Sequence, residues 1–368
     1  MSPAARPEPA RGESVERTPR ILVIRRRYLG DIVLLGPVLR NLRLCWPQAR
    51  LTVLVEPAYA EVLSLNPDAD AVLVLPRRAR EWPGFLRRLR QADYTHVFDF
   101  DNNERTALLA RLSGAPFRAT VWHEGSQPRF ARLYTHRHHD PPAIHEKRSI
   151  TGYYLSLLTA TGIPVVTREV RLVPHQADVA YVRDLLGRLS GTAVTPHPPR
   201  LLVHPGSRSP FRLWPPERFG ELCRRVRGEL GTGVVLIAGA GEEEVLHQVL
   251  LHAGAGQPVI DQPLSVPQLA ALAAQFDLML CHDSGPMHIA AAVGTRVVAL
   301  LGSQNPVLFA PPGPGHTVLQ PPLPCRNCVA PRICVPGDSY RNYCVRNIPV
   351  EQVFAAIRDQ LVQPASHP

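Results

Sequence analysis

Four residues with useful chemistry lie close together between two apolar segments late in the chain. Asp283, Ser284, Gly285 and His288 supply a carboxylate, a hydroxyl, a glycine that permits close approach, and an imidazole. The apolar residues up to Leu280 favour a strand, and the small apolar residues after the motif favour a helix. Backbone N–H groups at a helix N-terminus lack partners and carry partial positive charge, which suits an anion. The pattern indicates a nucleotide-sugar site, and the alternative is a helix N-cap with a packed histidine.

A second set of residues could hold a diphosphate. Ser207, Arg208 and Arg212 follow a predicted strand that ends at Val203, and they precede a predicted helix. Hydroxyl, backbone N–H and bidentate guanidinium groups commonly bind phosphate oxygens. The alternative is an ordinary basic loop with Trp214 packed beneath it.

Two carboxylates are further candidates. Asp31 follows the first predicted strand, Ile21–Ile24, and could act as a general base on an acceptor hydroxyl. The alternative for Asp31 is a helix N-cap, which is a common role for aspartate. Glu243 lies in an acidic run after a glycine-rich turn and could bind ribose hydroxyls. The alternative for Glu243 is a first-turn acid that the helix dipole favours.

The elements that must position these residues alternate between strand and helix. This alternation predicts an α/β protein with two Rossmann-like parallel-sheet domains that face a central cleft. We expect one predicted helix to run from Asp31 to Leu42. The expected segments are a disordered tail over 1–20, an N-terminal domain over 21–190, a proline-rich linker over 191–200, a C-terminal domain over 201–348 and a C-terminal helix over 349–368.

The composition narrows the functional class. The 368 residues suffice for about two domains. No run of about 18 uncharged apolar residues occurs, and residues 1–20 lack the apolar segment of a signal peptide, so we expect a cytoplasmic protein. A net charge of +10 fits phosphate-bearing partners or anionic lipid, or a compositional bias without function. Aromatic residues make up only 6% and no nucleic-acid-binding motif occurs, so nucleic acid is not an expected partner.

Two local clusters carry separate expectations. The segment Arg77–Arg90 contains six arginines and one acid, which suggests a face toward anionic lipid or acceptor phosphates. The histidines at 136, 138 and 139 lack the regular spacing of metal ligands on one face, so we expect a solvated loop there.

Four of the seven cysteines cluster near the C-terminus, at Cys325, Cys328, Cys334 and Cys344. The opening C-x2-C pair resembles a thiolate metal site, but the later spacings do not match a usual zinc ribbon. A structural metal site and reduced structural thiols are both open, and a cytoplasmic location argues against disulfides.

Three motifs together resemble glycosyltransferase family 9, the family of the lipopolysaccharide heptosyltransferases. The resemblance covers roughly residues 20 to 360 and keeps the order and context of the motifs. They are Leu29-Gly30-Asp31; His204-Pro205-Gly206-Ser207 with Arg212-Leu213-Trp214-Pro215; and Asp283-Ser284-Gly285-Pro286-Met287-His288 before Ala-Ala-Ala-Val-Gly294.

The resemblance implies the GT-B fold, with an acceptor-side N-terminal domain and a C-terminal helix that packs back on it. It implies inverting transfer of heptose from ADP-heptose to a lipid A–core glycolipid acceptor, without a metal or other cofactor, at the inner face of the inner membrane. Asp31 would be the general base, and the donor would be held by two groups of residues: Ser207, Arg208 and Arg212 on the diphosphate, and Asp283, Ser284, Gly285, His288 and Glu243 elsewhere.

Two residues depart from the family pattern. Arg212 stands where lysine is frequent, which keeps the charge but changes the contact geometry. Ser284 stands where threonine is common. Two alternatives remain for the function: a similar transferase with another nucleotide sugar or acceptor, and a sugar-nucleotide-binding protein without turnover.

Overall fold

A computed structural model describes residues 18–189, 200–208, 212–302, 304–321 and 345–362. The described chain divides into two compact units. The first contains residues up to 27, 35–63 and 67–168, and the second contains 28–34, 64–66 and everything from Glu169 onward. This division differs from the predicted boundary at residue 190, since residues 169–189 cluster with the second unit.

The first half of the chain forms a six-stranded parallel sheet in the order β3-β2-β1-β4-β5-β6. The strands are β1 (Arg20–Ile24), β2 (Arg50–Val55), β3 (Ala71–Val74), β4 (His96–Asp99), β5 (Phe117–His123) and β6 (His136–Asp140). The helices are α1 (Leu29–Val33), α2 (Gly36–Cys45), α3 (Trp82–Gln91), α4 (Glu104–Leu112), α5 (Pro142–His145) and α6 (Ile150–Ala160).

The second unit contains another six-stranded parallel sheet, in the order β12-β11-β10-β7-β8-β9. Its strands are β7 (Arg200–His204), β8 (Gly233–Ile237), β9 (Val259–Ile260), β10 (Leu278–His282), β11 (Arg296–Leu300) and β12 (Thr317–Leu319). Its helices are α7 (Gln176–Leu189), α8 (Pro216–Leu230), α9 (Glu243–Ala253), α10 (Val266–Ala273), α11 (Gly285–Ala292), α12 (Pro306–Phe309) and α13 (Val350–Val362). Short 3₁₀ helices lie at Pro57–Tyr59, Glu61–Leu65, Ala79–Glu81, Ala131–Leu133 and Val345–Asn347.

Apolar side chains cover both faces of the second sheet. Leu278 and Leu280 of β10 enter one core, and Met279 and Cys281 enter the other. This alternation is the two-residue repeat of a strand whose two faces are both buried. The prediction of two Rossmann-like parallel-sheet domains is therefore confirmed.

The C-terminal helix buries an apolar stripe in the second unit. Four apolar residues of α13, spaced as on one helix face, lie in the core of the second unit: Val350, Val353, Phe354 and Ile357. The helix contacts α8, β10 and β11. The stripe is therefore buried in the helix's own unit, and the expected packing against the N-terminal domain stays a prediction.

Two local predictions are wrong. The predicted helix from Asp31 to Leu42 is two helices, α1 and α2, because Pro37 lies in the first turn of α2 and lacks the N–H that a continuous helix requires. The predicted histidine-rich loop contains strand β6, which pairs in parallel with β5. The strand is largely exposed, and His139 stacks on Trp122 of β5 with ring centroids 3.9 Å apart, a contact that the polar sequence does not reveal.

Several predictions lie outside the described residues. These are the tail before residue 18, the linker over 191–199 and the four clustered cysteines, Cys325, Cys328, Cys334 and Cys344. Within the described ranges, no helix is long and apolar enough to cross a bilayer. The same ranges contain no group of three or more histidine, cysteine or acidic side chains placed to hold a metal ion.

Candidate functional site

The candidate site lies where the strand order of the second sheet reverses. Strands β7 and β10 are neighbours there, and Cys281 pairs with His204. Each strand runs into one of the predicted motifs, which therefore meet at the carboxyl ends of adjacent strands. Parallel α/β sheets bind ligands at such a reversal point. The structure thus brings the predicted phosphate-binding loop and the Asp283 motif together.

His282 connects these two motifs. It is fully buried at the end of β10. Its Nε2 accepts a hydrogen bond from the backbone N–H of Trp214 at 2.8 Å, and its Nδ1 lies 3.2 Å from the carbonyl oxygen of Gly206. Burial lowers the pKa of His282 to about 4, so the ring is neutral at pH 7.

Asp283 and Arg212 form an ion pair at the same edge of the sheet. An Nη1 of Arg212 lies 3.0 Å from Oδ2 of Asp283 and donates to its backbone carbonyl oxygen at 3.1 Å. The Asp283 carboxylate is largely buried, whereas about a third of the Arg212 side chain is exposed. Burial raises the pKa of Asp283, the Arg212 cation opposes this shift, and the Asp31 carboxylate adds to it. One side of the guanidinium is therefore fixed, and the exposed remainder is open to a ligand.

Asp31 belongs to the second unit, because residues 28–34 cluster with it. Its Oδ2 accepts a hydrogen bond from the backbone N–H of Tyr28 at 3.2 Å. The guanidinium of Arg208 lies over the Tyr28 ring, 5.3 Å from its centroid. Asp31 and Arg208, which the sequence predicts as base and phosphate ligand, are thus connected through one tyrosine.

Two glycines allow α1 and α11 to approach closely. A Cβ at Gly30 would lie 2.6 Å from Cδ2 of His288, and a Cβ at Gly285 would lie 2.7 Å from Cδ2 of Leu29. Real Cβ atoms do not occupy such short distances, so both positions require glycine at this spacing. The sequence analysis predicted that Gly285 permits close approach. In the structure it is the Leu29 side chain of α1 that lies close to it.

His288 is buried in the first turn of α11. Burial lowers its pKa to about 4, although the Asp31 carboxylate works in the opposite direction. Its Nδ1 is buried and has no hydrogen-bond partner among the described residues. A neutral imidazole with one unused nitrogen lies next to the predicted base.

The acidic run before α9 contributes a carboxylate that the sequence did not single out. Glu242 Oε2 lies 3.1 Å from Nε2 of His204 and accepts from the N–H of Gly239 at 2.7 Å. Burial alone would raise the pKa of Glu242, but the bonds from His204 and Gly239 outweigh it and hold the pKa below its ordinary value. A Cβ at Gly206 would overlap this carboxylate, so Glu242 lies directly against the predicted phosphate loop.

Three predicted residues remain to be located: Glu243, Ser284 and Ser207. Glu243 is exposed, and its Oε1 accepts from the N–H of Gly241 at 3.0 Å. Ser284 is the residue before α11, but its hydroxyl donates to the carbonyl of His282 at 3.2 Å and makes no capping bond. Ser207 is half-buried. The sequence analysis did not predict the contacts of His282. The only hints in the sequence were a histidine directly before Asp283 and a glycine directly after Pro205.

Comparison with known proteins gives a family match. The model of glycosyltransferase family 9 (heptosyltransferase) matches residues 83–333, which is more than half of the chain. Lipopolysaccharide heptosyltransferase 3 of Escherichia coli is 23% identical over 296 residues, which cover 77% of this chain and 84% of that protein.

Two solved structures share the fold. Glycosyl transferase family 9 from Veillonella parvula DSM 2008 is 23% identical, with a TM-score of 0.80 and coverage of 95% of this chain and 99% of that one. The E. coli ADP-heptose lps heptosyltransferase II is 21% identical, with a TM-score of 0.74 and coverage of 94% and 99%. The chain therefore has the GT-B fold of these heptosyltransferases.

Proposed function

This chain belongs to glycosyltransferase family 9, and from that membership we propose that it transfers a heptose from ADP-heptose to a lipid A–core acceptor of lipopolysaccharide. The names of the similar proteins support this choice: one is a lipopolysaccharide heptosyltransferase, and another is an ADP-heptose enzyme. The observation that carries the proposal is the grouping of Arg212, Asp283, Asp31 and His288 within one unit, at the reversal point of its sheet.

The proposed donor site uses the cations and the helix terminus. Arg212 is fixed by Asp283 and offers its exposed guanidinium N–H groups to a diphosphate. Arg208 and the hydroxyl of Ser207 lie on the neighbouring segment after β7. Because charge accumulates on the ADP leaving group as the sugar–phosphate bond breaks, cations placed there stabilise the transition state.

Four further residues complete the proposed donor site. His288 offers its unused Nδ1, and Ser284 and Gly285 lie at the N-terminus of α11. Glu243 remains the proposed ribose ligand, and Glu242 is the carboxylate nearest the phosphate loop. The pairing of Glu242 with His204 leaves the exposed Glu243 as the carboxylate that a ribose could reach without breaking a buried contact.

Asp31 is the proposed general base. Its carboxylate would take the proton of the acceptor hydroxyl while that oxygen attacks the anomeric carbon from the face opposite ADP. A carbon–oxygen bond to the acceptor forms, the bond to the diphosphate breaks, and the configuration inverts. The backbone N–H of Tyr28 donates to Oδ2 of Asp31 and helps to orient the carboxylate.

An enzyme that uses a lipid A–core acceptor would act at the inner face of the inner membrane. We propose that α3 is the element that faces the lipid there. Its Phe85 and Leu89 are buried, and its Arg87, Arg88 and Arg90 are exposed. Each cation near an anionic bilayer contributes about 1 kcal/mol. Changing the three arginines to glutamate should abolish sedimentation with phosphatidylglycerol vesicles.

A matched control changes the same number of exposed arginines on other parts of the chain, at Arg168, Arg171 and Arg183. If both triple variants lost vesicle binding equally, net charge alone would explain the binding. The proposal that α3 is a specific lipid-facing surface would then be wrong.

Donor screening tests the proposed function directly. The purified chain is titrated calorimetrically with ADP-heptose, UDP-sugars and GDP-sugars, and transfer to a lipid A–core acceptor is followed by mass spectrometry. We expect binding and turnover with ADP-heptose alone. Turnover with another nucleotide sugar would keep the enzyme class and overturn the heptose donor. Binding without turnover on any acceptor tried would favour a non-catalytic sugar-nucleotide-binding protein.

A further inference from the structure

His282 joins two chain segments that the proposed function assigns to the donor. The first segment, 205–208, contains Ser207 and Arg208, and the second, 212–215, contains Arg212. His282 contacts Gly206 in the first and Trp214 in the second, with distances of 3.2 and 2.8 Å. One side chain on β10 therefore holds both segments.

The partners fix the tautomer of the ring. The backbone N–H of Trp214 can only donate, so Nε2 of His282 must be unprotonated and accept. The carbonyl oxygen of Gly206 can only accept, so Nδ1 must carry the proton and donate. Both nitrogens are thus used, and the ring has no atom left for a substrate.

The surroundings keep the ring in place. His282 is fully buried, and its ring meets Phe219 edge to face, with centroids 5.4 Å apart. The next residue, Asp283, holds Arg212 by its carboxylate and its carbonyl oxygen. The position of His282 therefore sets the position of the cation as well as the two segments.

We infer that His282 is a positioning residue for the nucleotide diphosphate: it acts through Ser207, Arg208 and Arg212 and does not touch the substrate. This inference rests on the proposed function, because that function assigns a diphosphate to these three residues. The expected consequence of losing the ring nitrogens is a weaker hold on the diphosphate, with the chemistry at Asp31 largely preserved.

Three substitutions separate the two hydrogen bonds. His282→Gln can still accept from the Trp214 N–H, His282→Asn can still donate to the Gly206 carbonyl, and His282→Phe keeps the ring shape and loses both bonds. We expect the Phe variant to bind ADP at least about tenfold more weakly than the wild type, which corresponds to about 1.4 kcal/mol. The ADP affinities of the Gln and Asn variants should lie between those of the wild type and the Phe variant.

The kinetic pattern separates positioning from a general loss of structure. In the Phe variant the KM for the nucleotide sugar should rise about tenfold, and kcat at saturating donor should change less than about threefold. Affinity for adenosine, which lacks the diphosphate, should stay within about twofold of the wild type.

A buried glutamine provides the matched control. Gln257 also makes two hydrogen bonds from a buried side chain in the second unit, to the carbonyls of Val234 and Pro258, and it lies near the amino end of β8. Gln257→Met should lower stability by a similar amount and leave ADP affinity unchanged. If ADP affinity fell equally in the Gln257→Met and His282→Phe variants, the inference would be overturned.

Nitrogen-15 NMR of the imidazoles tests the connection without any nucleotide. The His282 ring should show a protonated Nδ1 and an unprotonated Nε2 from pH 7 to pH 5 in the ligand-free protein. A protonated Nε2 would overturn the inference. Because this measurement needs no donor, it distinguishes the two failures: the expected tautomer without ADP binding would overturn the proposed function, and a protonated Nε2 would overturn the connection through His282.

Discussion

At the scale of single residues, the Arg212–Asp283 pair combines a stability role with a proposed binding role. Asp283 is largely buried and relies on the Arg212 cation, which lies 3.0 Å away. Removing the cation leaves a buried carboxylate without its partner, which is more costly than removing both charges. The pair therefore offers a way to separate folding from function.

We predict that Arg212→Gln lowers the free energy of unfolding by about 1–3 kcal/mol and abolishes measurable ADP binding. The double variant Arg212→Gln with Asp283→Asn should recover most of the stability and none of the binding. Urea unfolding and calorimetry measure the two quantities. Recovery of ADP binding in the double variant would show that Arg212 does not contact the diphosphate.

Several residues that the sequence predicts for the site lie near one another in the structure. Asp31, Arg212, Asp283 and His288 do meet in one unit, at the carboxyl edge of a sheet. The sequence could not distinguish Glu242 from Glu243, because adjacent acids before a helix look alike until the turn directs one toward His204. Their roles toward a ligand remain predictions.

At the scale of elements, the distance between α1 and α11 is set by glycine contacts. Gly285 lies against Leu29, two residues before Asp31. A methyl group at Gly285 would meet the Leu29 side chain, including its Cβ at 3.1 Å, so Leu29 must shift, and we expect Asp31 to shift with it. Small displacements of a catalytic group reduce rates strongly, because the reacting atoms must lie within a narrow range of distances.

We predict that Gly285→Ala lowers kcat by at least about tenfold and leaves ADP affinity within about threefold of the wild type. Gly187 in α7 is the control, since a Cβ there has no neighbour within 4 Å. Gly187→Ala should keep full activity and gain up to about 1 kcal/mol in stability. An unchanged kcat in the Gly285→Ala variant would mean that α1 does not position the base.

The elements themselves were largely predictable from sequence. Apolar β-branched runs followed by helical periodicity located β1, β2, β7, β10 and β11. Strand β6 was missed because its residues are polar and mostly exposed, and the ring stacking that accompanies its pairing with β5 leaves no apolar pattern in the sequence. The apolar stripe of α13 showed that the helix is buried but could not show that its partners are in the second unit's own core.

At the scale of the whole molecule, two neutral histidines make the stability of the second unit depend on pH. His282 and His288 have pKa values of about 4 in the fold, against 6.5 in the unfolded chain. Between these values the unfolded state binds protons that the folded state does not bind, so stability decreases as the pH falls. Above about pH 6.5 both states are neutral, and this contribution is constant.

We predict that lowering the pH from 7 to 4.5 destabilises the second unit, and that each of the two histidines contributes at most about 3 kcal/mol. Hydrogen exchange of the β7 and β10 amides, followed by mass spectrometry, reports this unit specifically. His288→Phe should remove a large part of the pH dependence. Protection factors that stay unchanged over this range, after correction for the intrinsic pH dependence of amide exchange, would contradict the assignment of two neutral buried histidines.

Asp99 makes a useful internal comparison, because it lies in the first unit. Its effect on the pH dependence of stability has the opposite sign to that of the two histidines. Burial, with a contribution from Asp101, raises its pKa to about 6, although Tyr134 donates to its Oδ2 at 2.5 Å. The stability that Asp99 contributes is therefore lost as the pH rises from about 4 through 6. After correction for intrinsic exchange, protection factors in β4 should fall over that range, whereas those in β7 and β10 should rise.

The most direct test of the central claim compares the wild type with Asp31→Asn, which keeps the side-chain shape and the acceptor for the Tyr28 N–H. Calorimetry measures ADP-heptose binding, and single-turnover kinetics measure transfer to a lipid A–core acceptor. We predict that both proteins bind ADP-heptose within about threefold of each other and that transfer falls by about 10²–10⁴ in the variant. Transfer by Asp31→Asn at the wild-type rate would contradict the assignment of the base and, with it, the proposed mechanism.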